Sequence, residues 1–328
     1  MYRLLADIFN DSAMILDCLS PAFPKSSRVL ILSFSSVLRA LCGVAAGSSK
    51  ASLSAHFATQ GNLGELNAAK QKDFSQETVI SLVGMLAGSL IVSHISSQWA
   101  TWTAMIALLA IHLSTNYLAV KAVSMRTLNR QRANLVISNC LAQCPDSRTE
   151  KSSQSWKIKV PSPEMISLQE RIFERDGVLR GSNGAVLGYC QLGVSLQTVF
   201  KSFGPSHGST GSHMDDGNIR KLLKLFHEDA YILWYDRARN MYLVVFKHGC
   251  LPTVHVRAWA HAFMTAATKE VQARSSTESI LRLLEVTKVR LNEFLKTTDL
   301  FSELENAGWD LETGAMETRS GTRCQLKE

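Results

Sequence analysis

Residues 78–120 run 43 positions without an Asp, Glu, Lys or Arg, with Glu77 before them and Lys121 after. At about 1.5 Å rise per helical residue, roughly 20 residues cross a hydrocarbon core about 30 Å thick. The run therefore predicts two apolar helices, 78–95 and 99–120, joined by a tight turn at Ser96, Ser97 and Gln98. Further upstream, Tyr2–Leu19 has the spacing of an amphipathic helix. Asp7, Asn10, Asp11 and Met14 fall on one side, and Leu5, Ile8, Ile15 and Leu19 on another. Pro21 and Pro24 end it. Residues 28–46 predict a second helix with Arg39 in its interior. An arginine at a bilayer centre costs about 2.5–3.5 kcal/mol on insertion scales. That helix is accordingly interfacial, re-entrant or a third span, and Arg39 is expected to meet Asp11 or Asp17.

Residues 47–77 read as a polar, small-residue stretch, with Ser75 as the expected cap of the hairpin's first helix. Beyond the hairpin, residues 136–163 contain QCPDSRTEKSSQS and two further prolines and read as a linker. Residues 231–235 and 242–247 alternate in period two around a turn at 236–240, which predicts a β-hairpin. A strand at 254–256, an apolar helix at 258–267 and one long helix at 276–306 complete the expected elements. The last has an apolar stripe of Ile280, Leu283, Leu284, Val289, Leu291, Phe294 and Leu295. A glycine-rich loop at 205–217 carries His207 and His213, and Gly181-Ser182-Asn183-Gly184 reads as a turn. The expected fold class is mainly α. A helical membrane domain with at least one transmembrane hairpin spans 1–135, and a small α+β soluble domain spans 164–328.

Charge follows this division. Residues 1–135 hold 11 basic and 6 acidic side chains, and the remainder holds 24 and 22, so most of the net +7 lies in the apolar half. These positives flank apolar segments without interleaved aromatics, which suits a lipid bilayer as partner and argues against nucleic acid. Lys70 and Lys72 precede the hairpin, and Lys121, Arg126, Arg130 and Arg132 follow it with no acid before Asp146. Both ends, and the C-terminal domain, are expected on the cytoplasmic or matrix side of an intracellular membrane. The seven scattered cysteines predict free thiols in a reducing compartment. Asp7, Asp11 and Asp17 in the first helix exclude a secretory signal there.

Four ordered blocks carry a family resemblance: LADIFNDSAMILDCLSPAFP (5–24), GVAAGSSKASLSAHFA (43–58), SQETVISLVGMLAG (75–88) and HLSTNYLAVKAVSMRTLNRQR (112–132). Over about 130 residues the chain resembles the root UVB-sensitive (RUS) family, also catalogued as a domain of unknown function. Residues 231–236 and 307–310 resemble that family's C-terminal region. Where the family usually has a Thr-Arg pair, this chain has Ser49 and Lys50; lysine keeps the charge but loses the planar bidentate fork. Family members normally begin with further helices, so an N-terminally shortened form is expected. The resemblance implies an intracellular, mostly organellar membrane protein that associates with itself or a related member. In plants it implies links to ultraviolet-B responses, vitamin B6 status and auxin transport.

The residues themselves offer one candidate polar site: Lys50, His56, Glu65, Asp73 and Glu77 beside the membrane, with His112 and Asn116 one turn apart in the last apolar helix. Lys50 supplies charge for a small anionic ligand, and the histidines and acids handle protons near neutral pH. The alternatives are a solvated loop with helix caps for the first group and interhelical hydrogen bonding for the second. His94 falls at the end of the hairpin's first helix. Gly43 with Gly47, and Gly84 with Gly88, form small-residue faces suited to helix packing in lipid. P-loops, Rossmann glycines, HExxH and CxxC motifs are missing from the sequence. The reading is a non-enzymatic membrane interaction or homeostasis factor with no expected catalytic residue, cofactor or metal. A small-molecule carrier working as an oligomer is the alternative.

Overall fold

Residues 2–57, 63–95, 97–144, 158–203, 216–268, 276–317 and 322–325 are described by the computed structural model. Side chains at 2, 52–57, 63–77, 91 and 216 lie outside that description. The chain divides into two units, Met1–Val123 and Ser124–Glu328. It is mostly helical, with one small mixed sheet.

Among the described residues, the first unit holds four α-helices. α1 (Tyr2–Leu19) ends in a 3-10 turn, Ser20–Ala22, where Pro21 cannot continue the helix. Arg28 closes this corner, donating from Nε to the Ser20 carbonyl and from Nη2 to those of Pro21 and Phe23. α2 (Lys25–Phe57) then returns along α1. Leu4, Ala6 and Ala13 of α1 and Leu38 and Ala45 of α2 are buried, and Ser35 Oγ donates to the Ala13 carbonyl at 3.1 Å. Alanines at such a seam let the two backbones approach closely.

α3 (Leu63–His94) and α4 (Gln98–Ala122) flank the break at residues 95–97, where the turn was expected. The stretch 47–77 departs from expectation. α2 continues to Phe57 and α3 begins at Leu63, so Ser75 lies inside α3 and not at its start. Ala, Leu, Glu, Lys and Gln dominate this stretch, and their helix propensity carries both helices well past their apolar parts. Among the described residues, two helices suffice by length and composition to cross a membrane, Lys25–Ala51 and Gln98–Ala122. The apolar part of α3, Thr78–His94, is shorter. The helix given as an optional third span is thus the longer candidate, and the first arm of the expected hairpin is the weaker one.

The second unit wraps helices around the sheet. α5 (Arg130–Ala142), α6 (Pro163–Gln169), β1 (Val178–Arg180), β2 (Val186–Leu192), α7 (Leu196–Lys201) and α8 (Asp216–Leu225) come first. They are followed by β3 (Tyr231–Asp236), β4 (Met241–Lys247), α9 (Pro252–Ala267), α10 (Thr277–Thr298), α11 (Leu300–Asn306) and β5 (Arg323–Cys324). The strand order is β1-β2-β4-β3, with β5 adding to β4. The expected hairpin is present: β3 and β4 pair antiparallel from Tyr231↔Phe246 to Asp236↔Met241. Asn240 takes φ 48 in the turn, and Tyr235 donates to its side chain at 3.1 Å. β2 pairs β4 in parallel. All six residues of β3 are buried, so its alternation does not mark a wet face.

Three expectations fail in this unit. α5 occupies 136–142, inside the expected linker, with Val136, Ile137 and Cys140 buried. No strand forms at 254–256, because Pro252 sits in the first turn of α9, where its fixed φ favours a helix start. The long helix at 276–306 breaks at Asp299, which takes φ 44. Of its stripe, Ile280, Leu283, Leu284, Leu291 and Phe294 are buried, whereas Val289 is exposed. The turn at Gly181–Gly184 holds, with the Gly184 amide donating to the Gly181 carbonyl at 2.9 Å. The loop at 205–217 falls largely outside the described residues, with His207 and His213.

α9 is the hub of the core, and His261 on it is fully buried. Tyr231 donates its hydroxyl to Nδ1 at 3.0 Å, and Nε2 donates to the Leu284 carbonyl at 3.1 Å. This arrangement suits the neutral imidazole. Burial holds His261 down at about 4 against an ordinary 6.5, although the Leu284 carbonyl pulls the other way. The unfolded chain therefore takes up a proton below about pH 6.5 that the fold refuses. Stability should fall as pH drops from 6.5 to 4, by on the order of 3 kcal/mol from this group. Thermal unfolding across that range checks this: His261→Gln should start less stable and lose much of the slope. A second expectation concerns Asp299. Glycine adopts its left-handed backbone without steric cost, so Asp299→Gly should raise stability by about 0.5–1 kcal/mol. Asp299→Val should lower it, both read by denaturant titration.

Candidate functional site

Asp7 and Asp11 stand one turn apart on α1 and so share a face. Asp11 is 3% exposed, and one of its carboxylate oxygens accepts from His112 Nδ1 of α4 at 3.1 Å. Its other oxygen, Oδ1, is buried without a hydrogen-bond partner, and so is Asp7 Oδ2. Burial pushes the Asp7 carboxyl above its ordinary value. Arg3 and His112 pull it down, and the neighbouring Asp11 charge adds a smaller push upward. A second ion pair joins α1 to α2, where Arg39 meets Asp17. Of the two acids expected for Arg39, the fold thus selects Asp17 and gives Asp11 to His112.

The sequence-predicted site is not assembled as one group. His112 is at the cluster, and Asn116 lies one turn further along the same face of α4. Lys50 is exposed on α2. His56 on α2 and Glu65, Asp73 and Glu77 on α3 have side chains outside the described residues. His94 turns back onto its own helix, with Nδ1 2.8 Å from the Leu90 carbonyl. At Gly43, Gly47, Gly84 and Gly88 a Cβ would meet nothing within 4 Å among the described residues, so these faces stand open. Asp7 was missed because it read only as part of one side of an amphipathic helix. Its i, i+4 partnership with Asp11 was the available signal; the link to His112, 101 residues away, had none.

In the second unit, Cys250, His255, Glu317 and Arg323 gather at the end of the sheet. Cys250 Sγ lies 3.7 Å from His255 Nε2, and the ring packs tilted against Phe246 with centroids 4.3 Å apart. Arg323 donates to both Glu317 oxygens, at 2.8 and 2.6 Å, and these bonds hold the Glu317 carboxyl below its ordinary value. Burial pushes the Cys250 thiol up and the His255 imidazole down. Both shifts favour the neutral forms, the opposite of what activates a nucleophilic thiolate. The pair therefore serves to pack the tail strand, with the Arg323–Glu317 fork as its clamp. All seven cysteines are free, and among the described residues no three His, Cys, Asp or Glu side chains are placed to hold a metal.

Residues 1–143 match the family model described as the vitamin B6 photo-protection and homoeostasis domain. Among curated proteins, the chain is 32% identical over 202 residues to "Protein root UVB sensitive 3" of Arabidopsis thaliana, covering 61% of this chain and 42% of that protein. It is 38% identical over 174 residues to "RUS family member 1" of Dictyostelium discoideum, covering 52% and 30%. Similarity to "Protein root UVB sensitive 5" of Arabidopsis thaliana is 22% over 318 residues, 94% of this chain and 54% of that one. The chain spans about half or less of these relatives' lengths. No solved structure matches. The four sequence blocks fall within the matched region, and the relatives' names agree with the resemblance those blocks carry: over residues 1–143 this chain is similar to the domain of the root UVB-sensitive family.

Proposed function

We propose that the helical unit sits in an intracellular membrane and that the chain acts there, without catalysis, as an interaction factor in vitamin B6 homoeostasis. The observation that carries this reading is the apolar exterior of α2, α3 and α4. Among the described residues, seven large apolar side chains stand exposed on α2, eight on α3 and six on α4. Removing each from water is worth about 1.5–3 kcal/mol, so leaving all of them wet forfeits tens of kcal/mol. Trp99, 84% exposed at the start of α4, suits an interfacial anchor, and Lys25, Arg28, Lys121 and Arg126 flank the spans. The open glycine faces support self-association or pairing with a related family member. The domain description supplies vitamin B6.

Carbonate extraction with protease protection of a C-terminal tag tests the membrane reading. Retention in the pellet with the tag on the cytoplasmic or matrix side is expected. Release into the supernatant would leave a soluble helical unit whose apolar faces are covered by a protein partner.

One observation favours the carrier as a second reading: the Asp11–His112 contact places a titratable pair between two helices of the unit. Few spans lie in one chain, so a path would need an oligomer. With pyridoxal 5′-phosphate as the anionic probe, a carrier should be thermally stabilised by ligand, and Lys50→Ala and His112→Ala should each abolish that shift. Undiminished stabilisation in both variants removes this site assignment.

A further inference from the structure

We propose that the exposed face of α10 docks onto the same face of a second copy of this chain, the two helices packing antiparallel about a two-fold axis between Thr287 and Lys288. Arg282, Val286, Val289, Glu293 and Lys296 follow the alternating four- and three-residue spacing that keeps side chains in one line along a helix. All five are exposed, the two valines by 41% and 53%. They lie opposite Ile280, Leu284, Thr287 and Leu291, which face the core. A single exposed valine is ordinary on a protein surface. Here two stand one turn apart at the centre of a charged line, where long polar side chains are better helix formers.

The charges select the occupant. α10 makes its in-chain ion pairs away from this line, Glu278 with Lys221 and Lys288 with Asp229. Among the described residues, Arg282, Glu293 and Lys296, and the flanking Glu285 and Arg290, have no ion-pair partner. One turn after Arg282 and one turn before Glu293, where an i, i+4 partner would sit, stand Val286 and Val289. In the antiparallel arrangement Val286 meets Val289 of the second copy, and Arg282 meets Glu293 of the second copy. The two-fold repeats each contact, giving an apolar centre with an ion pair at either end. A parallel arrangement would set Arg282 against Arg282 and Glu293 against Glu293, and like charges so placed repel. A contact confined to one helix face falls below the ~1,200 Å² that stable interfaces bury, so the pairing is weak and reversible. Its exposed ion pairs fix direction and register more than affinity. Such a surface gains force once another contact holds two copies together. α10 lies outside the matched region 1–143, and the docking face does not rest on the membrane reading.

The test is oxidative cross-linking between two differently tagged full chains in detergent, one carrying Val286→Cys and the other Val289→Cys. Mass spectrometry of the linked peptides separates this bond from any made by the native thiols. A disulfide joining position 286 of one copy to position 289 of the other is expected. Arg282→Glu added to both copies should lower its yield several-fold, and so should Glu293→Arg added to both. Mixing a copy that carries Arg282→Glu with one that carries Glu293→Arg rebuilds both ion pairs with their signs exchanged, and should restore the yield. Rescue on mixing two defective chains is a result that misfolding of either would not produce. Absence of the 286–289 link, links confined to like positions, or a yield indifferent to charge reversal overturns the proposal. The first of these is also the outcome if the copies meet only through their helical units, or if a different protein covers α10.

Discussion

A charge taken out of water must find a partner or give up its charge, and this constraint organises both units of the chain. In the helical unit, buried Asp11 finds His112 of α4, and a more exposed pair, Asp17 with Arg39, ties α1 to α2. In the second unit, Asp229 is buried between Lys288 and Arg257, which joins the loop before β3 to α9 and α10. Arg132, also buried, grips Glu170 and the Thr127 carbonyl. Breaking one partner in such a pair strands the other, a change typically costing 3–5 kcal/mol when both are buried.

The two units solve the burial problem in opposite ways. The second has an ordinary interior: β3 is buried along its whole length, α9 is buried on most faces, and fully buried His261 is partnered at both ring nitrogens. The first is apolar outside, and its best-buried positions include Asp11, Ser35 and small alanines. Helices built that way have no use for water around them. Their large apolar side chains on α2, α3 and α4 stand exposed among the described residues.

The family domain and the structural units do not share a boundary. The matched region extends to residue 143, whereas the first unit ends at Val123. The segment between them holds α5, whose Ala133, Val136, Ile137 and Cys140 belong to the core of the second unit. A cut made at the unit boundary would take from the family domain a helix that the other unit requires.

Much of this architecture was legible in the residues. Proline placement marked the end of α1, the uncharged run marked α4 and the break before it, and period-two alternation marked β3 and β4. These features are local, set by backbone sterics and the spacing of apolar positions. Other features were not read from the residues, whether set locally without an apolar period or decided only by the tertiary structure. Helix propensity, with no apolar signal, carried α2 and α3 through the supposed polar loop. A single left-handed residue, Asp299, split one regular helical pattern into two helices. Which acid met Arg39, and the meeting of Asp11 with a histidine 101 residues away, depended on how the helices packed. Sequence by itself determined where helices, strands and apolar surface would form, because those depend on neighbours along the chain. Only the fold decided which charges would be buried together, because that pairing depends on neighbours in space.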